Sequence, residues 1–169
     1  GTKATREWVN ENNYRQWLVK DTTPTTAVTG TTSITQIGSS ILIPANTFSA
    51  YDVMILEGFG LDRLTTFGTV HFRLFHNTTN SLTGATALSV SLMSQYNITA
   101  LARRTFEIGG GLLKCRAGTG SSTFVDLAGA NLSPLSVSFN PAIDNYFFTT
   151  VQLSNASDSV TRTQLLISK

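Results

Sequence analysis

From residue 33 to residue 169 the chain runs as short segments of alternating apolar and polar residues, separated by clusters of Gly, Pro, Asn and Ser. That spacing is the one expected of strands and turns in an antiparallel sandwich. It predicts strands over 33–43, 52–60, 68–76, 87–92, 103–109, 112–117, 124–127, 145–153 and 159–167. The clearest is 68–76. Strand alternation puts Val70, Phe72, Leu74 and His76 on one face and His71, Arg73 and Phe75 on the other. Arg73 and Phe75 together suit contact with a partner more than open water. Ile41-Leu42-Ile43 has the character of a buried strand, and Pro44 stops it, because proline donates no backbone hydrogen bond and fixes its own φ. Residues 45–52 then form a turn-rich corner with Phe48 as apolar anchor, before Val53-Met54-Ile55-Leu56 opens the next strand. Gly109-Gly110-Gly111 predicts a hairpin turn, and 77–81 and 155–158 predict surface loops.

Helical character is confined to residues 5–20. Tyr14, Trp17 and Leu18 stand there at i, i+3 and i+4, although three Asn residues weaken the helix. A short helix or ordered arm is expected, its aromatics (Trp8 and Trp17 among them) docking on the sandwich or on a neighbouring subunit. A polar, Pro-containing linker follows. The organisation predicted is an N-terminal helix or arm with linker at 1–32, then a β-sandwich domain at 33–169. The fold class is all-β, an antiparallel β-sandwich of jelly-roll type.

Composition narrows the partners. Charged residues are 13% of the 169, against about 25% in ordinary globular proteins. Ser and Thr, about a quarter of the chain, take their place. Such a neutral, hydrogen-bonding surface suits an extracellular or particle-surface protein. The net charge is +2, and Arg103-Arg104 is the one adjacent basic pair, so the clustered basic footprint of a nucleic-acid binder is missing. The single cysteine, Cys115, allows no internal disulfide framework and sits where a packed core thiol is expected. No apolar run reaches the roughly 18 residues of a membrane span, and no signal peptide is visible. Membrane insertion is not expected.

Several stretches carry a resemblance. They are Thr29-Gly30-Thr31-Thr32, then Ile41-Leu42-Ile43-Pro44-Ala45-Asn46-Thr47-Phe48 and Asp52-Val53, then Gly68-Thr69-Val70-His71-Phe72-Arg73-Leu74-Phe75 with the loop from Asn77 to Ala85. Arg104-Thr105-Phe106, Asp144-Asn145-Tyr146-Phe147 and the run from Gln152 to Val160 complete the set. Together they resemble a module of tail-fibre, head-fibre and other virion proteins of tailed bacteriophages, over most of the chain after Val28. Tyr51 departs from it, standing where the module often has Gly before the Asp. The resemblance implies a jelly-roll sandwich that packs as a homotrimer, and a place in the virion beside other virion proteins.

Catalytic signatures are scarce. His71 and His76 alternate onto opposite faces and cannot share a metal. The aspartates are scattered, without a calcium-loop spacing. Glu57 and Glu107 are the pair a glycoside hydrolase would need to bring together. Serines are many, but no Gly-x-Ser-x-Gly elbow is present. The expectation is therefore no enzyme, no cofactor and no metal. The expected function is a structural component of a phage particle acting through trimer assembly. Trp8, Tyr14, Trp17, Leu18, Arg73 and Phe75 are its candidate assembly residues. The alternative is a receptor-binding tip that recognises a host-surface glycan through Tyr51, Phe59, Phe67 or Tyr96, an expectation favoured by the last strand ending close to Lys169.

Overall fold

The computed structural model of the chain describes residues 16–64, 68–93, 98–115 and 135–169. The regular elements among these are all strands: β1 (Trp17–Asp21), β2 (Val28–Thr29), β3 (Thr35–Gln36), β4 (Ile41–Ile43), β5 (Val53–Leu64), β6 (Val70–Asn77), β7 (Thr86–Met93), β8 (Ile98–Gly109), β9 (Leu112–Cys115), β10 (Leu135–Ser138), β11 (Asn145–Leu153) and β12 (Ser159–Ser168). They form two antiparallel sheets packed face to face. The first has the order β1-β12-β5-β8-β9-β10, with β2 also on β12; the second has the order β3-β11-β6-β7, with β4 also on β11. The chain passes repeatedly between the sheets, so both share one core. The expected sandwich is present.

Alternation explains the core. β6 reads buried, half-buried throughout, and its inward Val70, Phe72 and Leu74 meet Met54, Leu56 and Phe106 of the first sheet in one cluster. Phe106, Phe147 and Val151 are fully buried. Deleting one such aromatic side chain is expected to remove about 3–5 kcal/mol. The register of β5 on β8 and β12 shifts near Leu56 and again around Gln164, and such bulges bend strands too long to stay flat. At Gly109-Gly110-Gly111 the expected hairpin forms. Gly109 pairs with Leu112, and both turn residues, Gly110 and Gly111, have positive φ of 60° and 70°. That is the two-residue turn whose twist matches the strands it joins.

Of the two N-terminal expectations, helix or ordered arm, the described part is a strand docked on the sandwich, and no helix forms over residues 16–21. Trp17 and Leu18 lie in β1, a strand on β12, with Trp17 opposite Ser168 and Val19 opposite Ile167. Gln16 and Lys169 exchange both backbone hydrogen bonds. An isolated helix this short is marginal in water, whereas the free edge of β12 supplies a ladder partner for each paired residue. β2, inside the stretch expected as linker, also pairs with β12. The first sheet therefore takes in residues well before position 33. Trp8 and Tyr14 lie outside the described residues, as does the strand expected at 124–127. The strand expected over 33–43 is two, β3 and β4, broken at Gly38 with φ 78°. β10 was not expected.

Candidate functional site

The corner after β4 is held from several sides. Thr47 donates its backbone N–H (3.2 Å) and its hydroxyl (2.7 Å) to the Pro44 carbonyl. Ala45 N–H reaches Asp144 Oδ1 at 2.9 Å, and Phe48 drops into the core edge-on to Phe139. Asp52 closes the turn. Its Oδ2 accepts the Ser49 N–H at 2.8 Å, and its N–H donates to the Ser49 carbonyl at 3.2 Å. Lys169 Nζ spans the same turn, 2.7 Å from the Thr47 carbonyl and 3.5 Å from Asp52 Oδ2.

Tyr51 sits at the tip of this corner with φ 73° and 90% of its surface exposed. A tyrosine in left-handed backbone space is strained by about 1–2 kcal/mol, and an exposed ring recovers little of that through packing. The backbone is held there because Tyr51 N–H donates to the Ile108 carbonyl at 2.9 Å and Ile108 N–H donates to the Asp52 carbonyl at 3.0 Å. Tyr51, standing where the resembling module often has glycine, thus takes a left-handed backbone that glycine would adopt without strain.

Beside Tyr51 the outer face of the first sheet forms a groove of about 440 Å³, within the range of about 300–1,000 Å³ typical of ligand sites. Val53 and the backbone of Gly109 and Gly110 line it, with Glu107 and Lys114 at its side. The register puts Val53 opposite Glu107 and Glu107 opposite Lys114, so these side chains stand in one row across three strands. Glu57 lies four residues along β5 from Val53, or about 13 Å of strand. The register thus sets the backbone of Glu57 four positions along β5 from the Val53–Glu107 pair.

The outer face of the second sheet is different. His71, Arg73 and Phe75 are half-buried, and on β11 the outward Phe148 and Thr150 are 2% and 0% exposed. Phe148 pairs with Phe75, and Thr150 with Arg73. Arg73 Nη1 and Thr150 Oγ1 are both buried without a hydrogen-bond partner. Burial lowers the pKa of the Arg73 guanidinium and, with the Arg73 charge adding to it, that of His71.

His76 lies on the opposite, inward face, 5% exposed between Phe139 and Phe147. Its Nε2 is 2.8 Å from Asn145 Oδ1. Asn145 Nδ2 donates to the Asn140 and Ile143 carbonyls, which leaves Oδ1 as the acceptor and the His76 Nε2–H as the donor. Burial lowers the His76 pKa, opposed in part by this bond. The pair fixes the loop that enters β11.

A second cross-link went unread in the sequence. Arg162 is 2% exposed; its Nη2 meets Asp21 Oδ2 at 2.8 Å, and its Nη1 meets Thr149 Oγ1 at 2.8 Å and the Ile37 carbonyl at 3.2 Å. It joins β1, both sheets and the β3–β4 break. A Cβ on Gly38 would stand 2.5 Å from the guanidinium, so glycine is required there for space as well as for φ. The signal was available: Arg162 falls two residues from buried Val160 on β12, an inward position.

Among the expected glycan contacts, Tyr51 lines the groove. Phe59 is in β5 with its backbone opposite Ala102, and Phe67 and Tyr96 lie outside the described residues. Among the expected assembly residues, Arg73 and Phe75 share the second sheet's outer face, while Trp17, 44% exposed, and Leu18 belong to β1. Among the described residues no three His, Cys, Asp or Glu side chains gather where they could hold one metal ion.

No protein-family model and no curated protein matches the chain. A solved structure, the CBM2 module of the evolved Dit protein of Lactobacillus casei BL23 phage J-1, is similar over 91% of this chain and 95% of its own, at 10% sequence identity and a TM-score of 0.42. A likeness at that level assigns no ligand, activity or assembly to this chain.

Proposed function

We propose that this chain is a non-catalytic structural module of a tailed-phage particle, and that it works by assembling with copies of itself into a homotrimer. The place in the virion rests on the sequence resemblance set out above. The assembly rests on one observation, the outer face of the second sheet. Phe148 and Thr150 are already covered within the single chain, while Arg73 and Phe75 beside them are half-buried and leave surface for a second copy. Arg73 Nη1 and Thr150 Oγ1, on paired residues, have no hydrogen-bond partner. A buried nitrogen and hydroxyl left unsatisfied are costly in a free monomer. Apolar contact with a second copy would finish covering Phe75, which keeps part of its surface exposed. Trp17 on β1, 44% exposed, is a further apolar surface that a neighbouring copy or another virion protein would meet.

The test is the mass of the purified chain in solution by light scattering, with and without Phe75→Asp. A homotrimer is expected for the parent chain. The variant places a charge on a half-buried outward position, which spares the core, and should give a folded monomer. Immunogold labelling of intact particles then checks the virion assignment, with label expected on fibres or on the shell and its absence from particles refuting it.

A further inference from the structure

We infer that the groove beside Tyr51 is a binding site for neutral pyranose glycans. It lies on the outer face of the first sheet, away from the assembly face, so it stands independently of the trimer.

Three features converge. Tyr51 presents its ring almost fully to solvent, 90% exposed, on a backbone held at φ 73°. Bonds of Tyr51 to Ile108 and of Asp52 to Ser49 fix that backbone, so the ring projects from a held corner at the edge of the groove. An aromatic face so placed suits the apolar C–H face of a sugar ring, whose hydroxyls stay at its rim. Beside it Gly109 and Gly110 leave the sheet surface bare; a Cβ built on either would meet nothing within 4 Å. A flat ring can therefore lie against the backbone. Glu107 and Lys114, paired across β8 and β9, place a carboxylate and an ammonium at the same groove. These match vicinal hydroxyls, which both donate and accept.

Charge selects the class of sugar. The groove is lined by the carboxylates of Asp52 and Glu107 and by the ammonium of Lys114, and Lys169 Nζ stands 3.5 Å from Asp52 Oδ2, so acids and bases balance there. A sialylated or uronic-acid chain would bring a negative charge for which the groove has no surplus cation, whereas a neutral hexose or N-acetylhexosamine chain needs none. A volume of about 440 Å³ suits a short segment of such a chain rather than a protein domain.

The experiment titrates the intact chain with short neutral oligosaccharides of hexose and N-acetylhexosamine and with sialylated and uronic-acid counterparts, following binding by NMR chemical shifts. Two variants are read beside the parent. Tyr51→Gly removes the ring and relieves the left-handed strain, so it keeps the fold while weakening binding at least tenfold. Gly109→Leu fills the groove from a position that has open space and a φ outside the left-handed region, and should abolish binding with the fold intact. Neutral ligands that shift groove residues, and lose affinity in both variants, support the site. The proposal is overturned by no binding to any neutral oligosaccharide, by a preference for the acidic set, or by affinity that survives both variants. A monomeric mass would leave this result standing, and a glycan-blind trimer would leave the assembly standing.

Discussion

The two outer faces of this sandwich come from strands with the same period, yet they treat their outward side chains in opposite ways. On the first sheet the outward row of Val53, Glu107, Lys114 and Ser136 runs across four strands, and Val53 is 37% exposed. At its end Tyr51 is held in solvent on a strained backbone. On the second sheet the outward Phe148 and Thr150 are buried, and Arg73 carries an unsatisfied nitrogen. Alternation decides which residues leave the core; it does not decide whether they meet water. The first face keeps a polar, sugar-sized groove open, and the second withdraws its large side chains from solvent.

The sharpest test of that difference replaces one outward residue on each face. Phe148→Ala is expected to lower unfolding stability by about 3–5 kcal/mol, and Val53→Ala by about 0.5 kcal/mol or less, both by urea denaturation at one fixed protein concentration, because assembly makes apparent stability concentration-dependent. Equal losses would erase the contrast. Next in size is Arg73→Met on the assembly face. It removes a desolvated charge with an unsatisfied nitrogen, so the monomer should gain stability.

Acid acts on the second sheet from both of its faces. His71 outside and His76 inside both have pKa values lowered from the ordinary 6.5. Below that value the unfolded chain takes up protons that the folded chain resists, so stability is whole above pH 6.5 and is lost as the pH falls through the depressed folded values. His76→Gln, which keeps a donor for Asn145, should flatten the acid side of the stability–pH curve. His71→Gln should flatten it less, as His71 is the more exposed. The smallest effect is Tyr51→Gly, where relief of left-handed strain outweighs the added freedom of the unfolded chain. A gain of about 0.5–1 kcal/mol is expected, and a loss would mean that the Tyr51 ring packs more than its exposure allows.

The sequence made the strand interiors legible because their alternation is local. Val70, Phe72, Leu74 and His76 point inward as expected, and the triglycine turn needed only its own residues. Features that depend on distant partners were not legible. Tyr14, Trp17 and Leu18 carry helical spacing, and what makes Trp17 and Leu18 a strand is the edge of β12, more than a hundred residues away. Gly38 splits the strand expected over 33–43 because Arg162 occupies the space above it. β10 is a four-residue strand, too short to show a period. At the candidate site, Tyr51 could be named as a loop aromatic, but its exposure follows from the Ile108 carbonyl that holds its backbone. Glu107 drew notice for catalysis and Lys114 drew none, since their alignment with Val53 is a matter of register alone.

The proposed assembly of the second face turns on whether its half-buried Phe75 meets another copy of the chain. Sedimentation equilibrium on the intact chain measures this directly. A mass of three chains, falling to one in Phe75→Asp and unchanged in Tyr51→Gly, is the expected result. A single-chain mass at every concentration would contradict it.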